Sequence, residues 1–172
     1  MNVAVITLNY SAELCERKLT MPEFERVHTM TDYYDGPRRG VADFAGQPHL
    51  YESTFDNDAD NYIDIFRLSP VAQDVFALAL EDWQIWPRWE TAFHNGHTTQ
   101  DTHPALPDDR CRNNELDAIL KERLLIDDAN FFTARGEFRV RDDPDWSGVG
   151  FRPLEVKWSP NPDAAQHPDK TV

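Results

Sequence analysis

The stretch from Ser69 to Gly96 constrains the fold of this chain more than any other. Its polar positions, Asp74, Glu81, Gln84, Arg88, Thr91 and Asn95, with the small Ala77 continuing the row, recur three or four residues apart. Residues at that spacing share one face of an α-helix, so the row reads as a solvated stripe along a single long helix. Nearly everything else in the segment is apolar, including Val75, Leu78, Ala79, Trp83, Ile85 and Trp89. Ser69-Pro70 reads as an N-cap followed by proline at the first helical position, and Asn95-Gly96 as the C-terminal stop. Pro87 removes one backbone hydrogen bond, yet the stripe keeps its phase across it, which predicts a kink rather than a break.

A helix apolar over so much of its surface needs a partner, and the residues before it read as strands. Val27 to Tyr34 is rich in β-branched and aromatic residues and ends in the turn chemistry of Asp35-Gly36-Pro37. Val41–Phe44 and His49–Phe55 flank a hairpin loop, Ala45-Gly46-Gln47-Pro48, and Tyr62–Leu68 follows an acidic loop. After a Pro-containing connector, a second, more polar helix is predicted at Asp108–Leu125, with Leu116, Ile119, Leu120 and Leu124 as its apolar stripe. Gly136–Arg141 and Arg152–Trp158 alternate apolar with charged residues and read as two last strands. The expected fold class is therefore α+β: an antiparallel sheet covered by one long Pro-kinked helix, with a second, shorter helix beside it. The 172 residues suit a single domain over 23–158. An N-terminal extension is expected at 1–22, with Met21 and Met30 as alternative starts, and a mobile Pro-rich tail at 159–172.

Charge narrows function. The chain carries 31 acidic against 17 basic residues, a formal charge of −14, while 40% hydrophobic content argues for a folded core rather than a disordered acidic tail. The acidity belongs to the middle: residues 41–130 hold 18 acids and 6 bases. Such a surface repels phosphate backbones and anionic lipids, so direct nucleic-acid or membrane binding is not expected and a basic protein partner is. Asp56, Asp58, Asp60, Asp64 and Glu81 are the expected contacts. Cys15 and Cys111 are too few and too far apart for a disulfide framework, which points to a reducing cytoplasm.

Chemistry could reside in two misplaced carboxylates. On the helical wheel Glu90, and less closely Asp82, falls on the apolar side of the long helix, and His94 lies one turn beyond Glu90. Buried carboxylates need a cation, a donor or a wet cleft, so these three residues mark either internal ion pairs, with Arg39 or Arg67 as partners, or the floor of a pocket under Trp83, Trp86 and Trp89. Asp82, Glu90 and His94 are thus the candidate catalytic residues. Glu90, His94, His97 and His103 form a run of ligand-capable side chains for a divalent metal, but the spacing matches no established signature. Asp56, Asp58 and Asp60 resemble the opening of a calcium loop, yet its sixth and twelfth positions, Asn61 and Arg67, are the wrong residues. No cofactor is expected, and the lack of a Gly-rich phosphate loop and of a Gly-x-Ser-x-Gly elbow disfavours ATP hydrolysis and serine nucleophilic catalysis.

Tyr33-Tyr34-Asp35-Gly36-Pro37-Arg38-Arg39-Gly40, Gly46-Gln47-Pro48-His49 and Trp86-Pro87-Arg88-Trp89-Glu90 together resemble a group of small uncharacterised bacterial proteins over residues 28–125. The resemblance implies a bacterial cytoplasmic origin and transfers no catalytic residue. Two functions then compete. One is an acidic interaction module, of the inhibitor, immunity or nucleic-acid-mimic kind, binding a basic partner. The alternative is a small-molecule-binding or metal-dependent enzyme with a pocket around Asp82, Glu90 and His94.

Overall fold

The computed structural model describes residues 23–31, 36–58, 60–144 and 150–161. Six strands run in chain order: β1 (Glu25–Thr31), β2 (Arg39–Phe44), β3 (Gln47–Asp56), β4 (Asn61–Pro70), β5 (Phe132–Val140) and β6 (Leu154–Pro160). Two helices, α1 (Gln73–His94) and α2 (Arg110–Arg123), separate β4 from β5. The expected 1–22 extension and the tail beyond 161 lie outside the described residues, as does Asp35 of the first turn. β6 itself runs on to Pro160, two residues past the expected domain boundary.

The expected fold class is corrected by the strand pairing. Each strand is antiparallel to the next, and β6 returns to pair with β1 through Glu25 with Val156 and Arg26 with Glu155, so the six strands close into a barrel. The protein is mainly β, not an α+β sheet with one face under a helix. A closed barrel covers its own inner face, which removes the need that made the helix look like the sheet's lid. Tyr51, Phe66, Leu68, Ala134 and Val156 fill the interior, with Phe138 and Trp158 packed against them. Tyr51, Phe66, Phe138 and Trp158 meet pairwise at ring-centroid distances of 5.3–6.2 Å. Gly136 is required here, because a Cβ would press on Trp158, Phe138 and Phe66.

The helices sit outside the barrel. Strand residues of opposite phase, Val41, Leu50 and Ser69, are also fully buried. A register shift between Val27 and Thr29 bulges β1, leaving Val27 and Met30 in the interior while Thr29 stands opposite Val41 on the outer face. His28 then meets the ring of Phe76 on α1 at 4.9 Å. The seven positions of the solvated stripe, from Asp74 to Asn95, are all exposed.

α1 begins later than its sequence suggests. Its N-cap is Ala72, with no side-chain cap, because Ser69 and Pro70 belong to β4. Ser69 pairs with Leu50, and its hydroxyl accepts the amide of Asp127 at 3.3 Å. The C-terminus is as expected: Gly96 takes φ +71°, its amide donates to Phe93 and that of His97 donates to Ala92, which closes the last turn with a Schellman pair of bonds.

Candidate functional site

α1 and α2 lie antiparallel, joined by a ladder that can be followed residue by residue. Arg88 holds Asp109 at 2.8 Å, Arg112 grips both oxygens of Glu81 at 2.7 and 2.8 Å, Asn113 donates to Asp82 at 3.1 Å and Arg123 holds Asp74 at 2.7 Å. Beneath it Leu116, fully buried, packs with Ile85 and Ala105. The space left between this helix pair and the outer wall of β1 and β2 is a cavity of about 240 Å³. Asp82 and Trp83 of α1, Asp117 and Lys121 of α2, and Thr29 and Arg39 of the wall all line it.

Asp82 is the chemically distinctive group of this cavity. It is half-buried, and burial pushes its carboxyl above the usual carboxylate range; the Asn113 hydrogen bond opposes this, while the charges of Asp117 and Glu81 add to it. Glu81, one residue earlier but exposed, moves the other way because Arg112 bonds to it. The guanidinium of Arg39 is held by the Leu124 carbonyl at 2.6 Å and by Glu52 at 3.6 Å. Arg67 bonds Glu52 at 2.6 Å and approaches Asp128. Neither of the arginines expected as partners is therefore spent on Asp82.

Glu90 and His94 lie further along α1 and do not line this cavity. Glu90 is 2% exposed, as its place on the wheel requires, and its Oε1 stands 3.5 Å from Nε2 of His94, which is itself exposed. The pocket expected around Asp82, Glu90 and His94 thus divides into an Asp82 cavity and a separate Glu90–His94 pair. His103 packs edge-on against Trp89 at 4.6 Å, and His97 lines a shallow groove with Arg88 and Asn95. Among the described residues, no three His, Cys, Asp or Glu side chains are grouped as metal ligands would be. Trp83 meets Phe151 edge-on and Trp86 meets it tilted, while Trp89 stacks on Phe93.

The expected partner-binding acids also divide. Glu81 and Asp64 are engaged, by Arg112 and by Arg135 at 3.3 Å. Asp56, Asp58 and Asp60 occupy the β3–β4 turn, where Asp56 accepts the Asp58 amide at 2.9 Å and Asp60 adopts φ +49°. Directly below, Phe55 and Tyr62 face each other across the hairpin with centroids 5.1 Å apart, each 42% exposed. Arg38 sits over the Tyr62 ring at 4.3 Å.

Three contributors escaped the sequence reading: Asn113, Asp117 and Lys121. Their i, i+4 spacing beside the apolar stripe of α2 was visible, but nothing local says that this edge meets Asp82. Comparison with protein-family models, with curated proteins and with solved structures finds no match. Among the described residues no helix is long and apolar enough to cross a membrane.

Proposed function

We propose that the protein is an acidic, cytoplasmic interaction module that binds a basic protein partner through the β3–β4 hairpin tip, as an inhibitor, an immunity-type protein or a nucleic-acid mimic would. One observation carries this reading: the exposed Asp58 and Asp60 stand beside an exposed aromatic pair whose Tyr62 face already holds a guanidinium. Carboxylates supply attraction and steering, and rings supply area on which arginine side chains stack. The surrounding charge supports it. Arg67, Arg88, Arg112, Arg123, Arg135 and Arg139 each hold a carboxylate of this chain, so the surplus acids dominate the field that a partner meets.

A deca-arginine peptide is the test probe, titrated calorimetrically at about 0.05 M and about 0.3 M salt, over which the Debye length shrinks from about 14 Å to about 6 Å. Binding is expected to weaken by about tenfold or more over that range. The double variant Asp58→Asn/Asp60→Asn is expected to weaken it at low salt, and Tyr62→Ala to weaken it at both. Binding that ignores salt, or that survives all three substitutions, removes the hairpin tip from the function.

A further inference from the structure

We propose that the cavity between α1, α2 and the β1–β2 wall binds a small organic amine in its protonated form, with the carboxylate of Asp82 as counter-ion and the Trp83 indole as the wall for the apolar part. None of the residues at the β3–β4 hairpin tip lines this cavity.

Size comes first. A cavity of about 240 Å³ exceeds the roughly 150 Å³ that accommodates benzene, so a single ring or short alkyl chain with a polar end fits it. Leu50, Ala79, Trp83 and Leu120 give the body of such a molecule apolar contact. The charged groups then choose the sign of the ligand. Asp82 and Asp117 both line the space, and Glu81 adds its field to Asp82 from the next position. Against them stand Arg39 and Lys121. The Arg39 guanidinium donates to the Leu124 carbonyl and shares Glu52 with Arg67, whereas Asp82 is bonded by the neutral Asn113 amide and no salt bridge engages it among the described residues. An ammonium ion would therefore find at Asp82 a carboxylate that no cation of the chain neutralises, with the Trp83 indole lining the same space.

The state of Asp82 agrees. Its folded-state pKa lies above the ordinary value, so ionised Asp82 lowers stability at neutral pH and that loss is recovered as pH falls through the folded-state pKa. A bound ammonium ion would relieve the same burden. Asp82→Asn removes the charge and keeps an oxygen for the Asn113 amide, so this variant is expected to fold with a melting temperature at or above that of the wild type.

Phenethylamine and hexylamine are the probes, titrated calorimetrically into the full chain beside the neutral isostere 2-phenylethanol and the anion 3-phenylpropionate. Saturable 1:1 binding of an amine is expected, with 2-phenylethanol at least about tenfold weaker and 3-phenylpropionate weaker still. Asp82→Asn should lose at least about tenfold for the amine while leaving the alcohol unchanged. Ala79→Leu, which fills the cavity, should abolish both. Equal binding of amine and alcohol, full amine affinity in Asp82→Asn, or no saturable binding of either amine up to about 10 mM would overturn the proposal.

Discussion

Ala45 carries a backbone conformation that its side chain disfavours. The β2–β3 hairpin turns in two residues, Ala45 at φ +53° and Gly46 at φ +70°, the positive-φ pair of a type I′ turn. Glycine takes that region freely, but alanine does so at a cost of roughly 1 kcal/mol. The turn is held from the neighbouring strand β1 by Glu25, 5% exposed, whose two oxygens accept the amides of Ala45 at 3.0 Å and Gly46 at 2.8 Å. Ala45→Asn, which suits the left-handed region, is expected to raise unfolding stability by about 0.5–1 kcal/mol. Glu25→Gln, which sets an amide N–H₂ against a turn N–H, should lower it by about 2–3 kcal/mol, both read from denaturant midpoints. Nearby, His49 is buried against Phe44 and Phe132 with Nδ1 bonded to the Gln47 carbonyl at 2.9 Å. Burial lowers its pKa, partly opposed by that bond and by the charges of Glu25 and Asp43. A histidine harder to protonate when folded leaves stability flat above its unfolded value near 6.5, and stability falls as pH drops through that value towards the folded one. The denaturant midpoint is therefore expected to decline between about pH 7 and about pH 5 less steeply in His49→Asn than in the wild type. An identical slope would assign the titration to another group.

At the scale of elements, two separate cores divide the molecule. The barrel has its own aromatic interior, while α2 is docked by Leu116 against Ile85 and Ala105 and by ion pairs that are mostly exposed. Exposed ion pairs contribute little each, so the buried leucine carries most of that docking. Leu116→Ala should cost about 2–4 kcal/mol for the helix pair. Hydrogen exchange should then rise across residues 107–124 while β2–β4 stay protected; uniform acceleration everywhere would mean one cooperative unit. What the sequence revealed of these elements follows from how local their causes are. The α1 stripe from Asp74 to Asn95 is set by helical period alone, and so was legible, as was the burial of Glu90. The Gly96 stop was legible because positive φ is a local demand. The start was not: Ser69-Pro70 satisfies the grammar of a helix cap, but the strand pairing of Ser69 with Leu50 holds it in β4. The split of the Asp82–Glu90–His94 site was hidden for the same reason, since the Asn113 bond to Asp82 spans 31 residues.

The whole molecule turns on a closure that no strand announces. Alternation along Phe138, Val140, Leu154 and Val156 marks an apolar face, and an open sheet or a barrel satisfies it equally. Closure is decided by the pairing of Glu25 with Val156 and of Arg26 with Glu155, contacts between the two ends of the described chain. Charge, by contrast, is a global property readable from composition, and it sets the solution behaviour of the closed barrel. The ion pairs are short-ranged and mostly exposed, each contributing up to about 1 kcal/mol and weakened by salt. A formal charge of −14 acts at longer range and destabilises the compact state through self-repulsion, which salt also screens. The two effects oppose each other, and the surplus of 31 acids over 17 bases decides between them, since each pair consumes one of each sign and leaves the excess untouched. Raising NaCl from about 0.02 M to about 0.5 M at neutral pH is therefore expected to raise the melting temperature by about 3 °C or more, the shift that roughly 1 kcal/mol produces in a chain of this size. A melting temperature that falls over the same range would mean that the ion pairs, not the net charge, dominate the electrostatics of the fold.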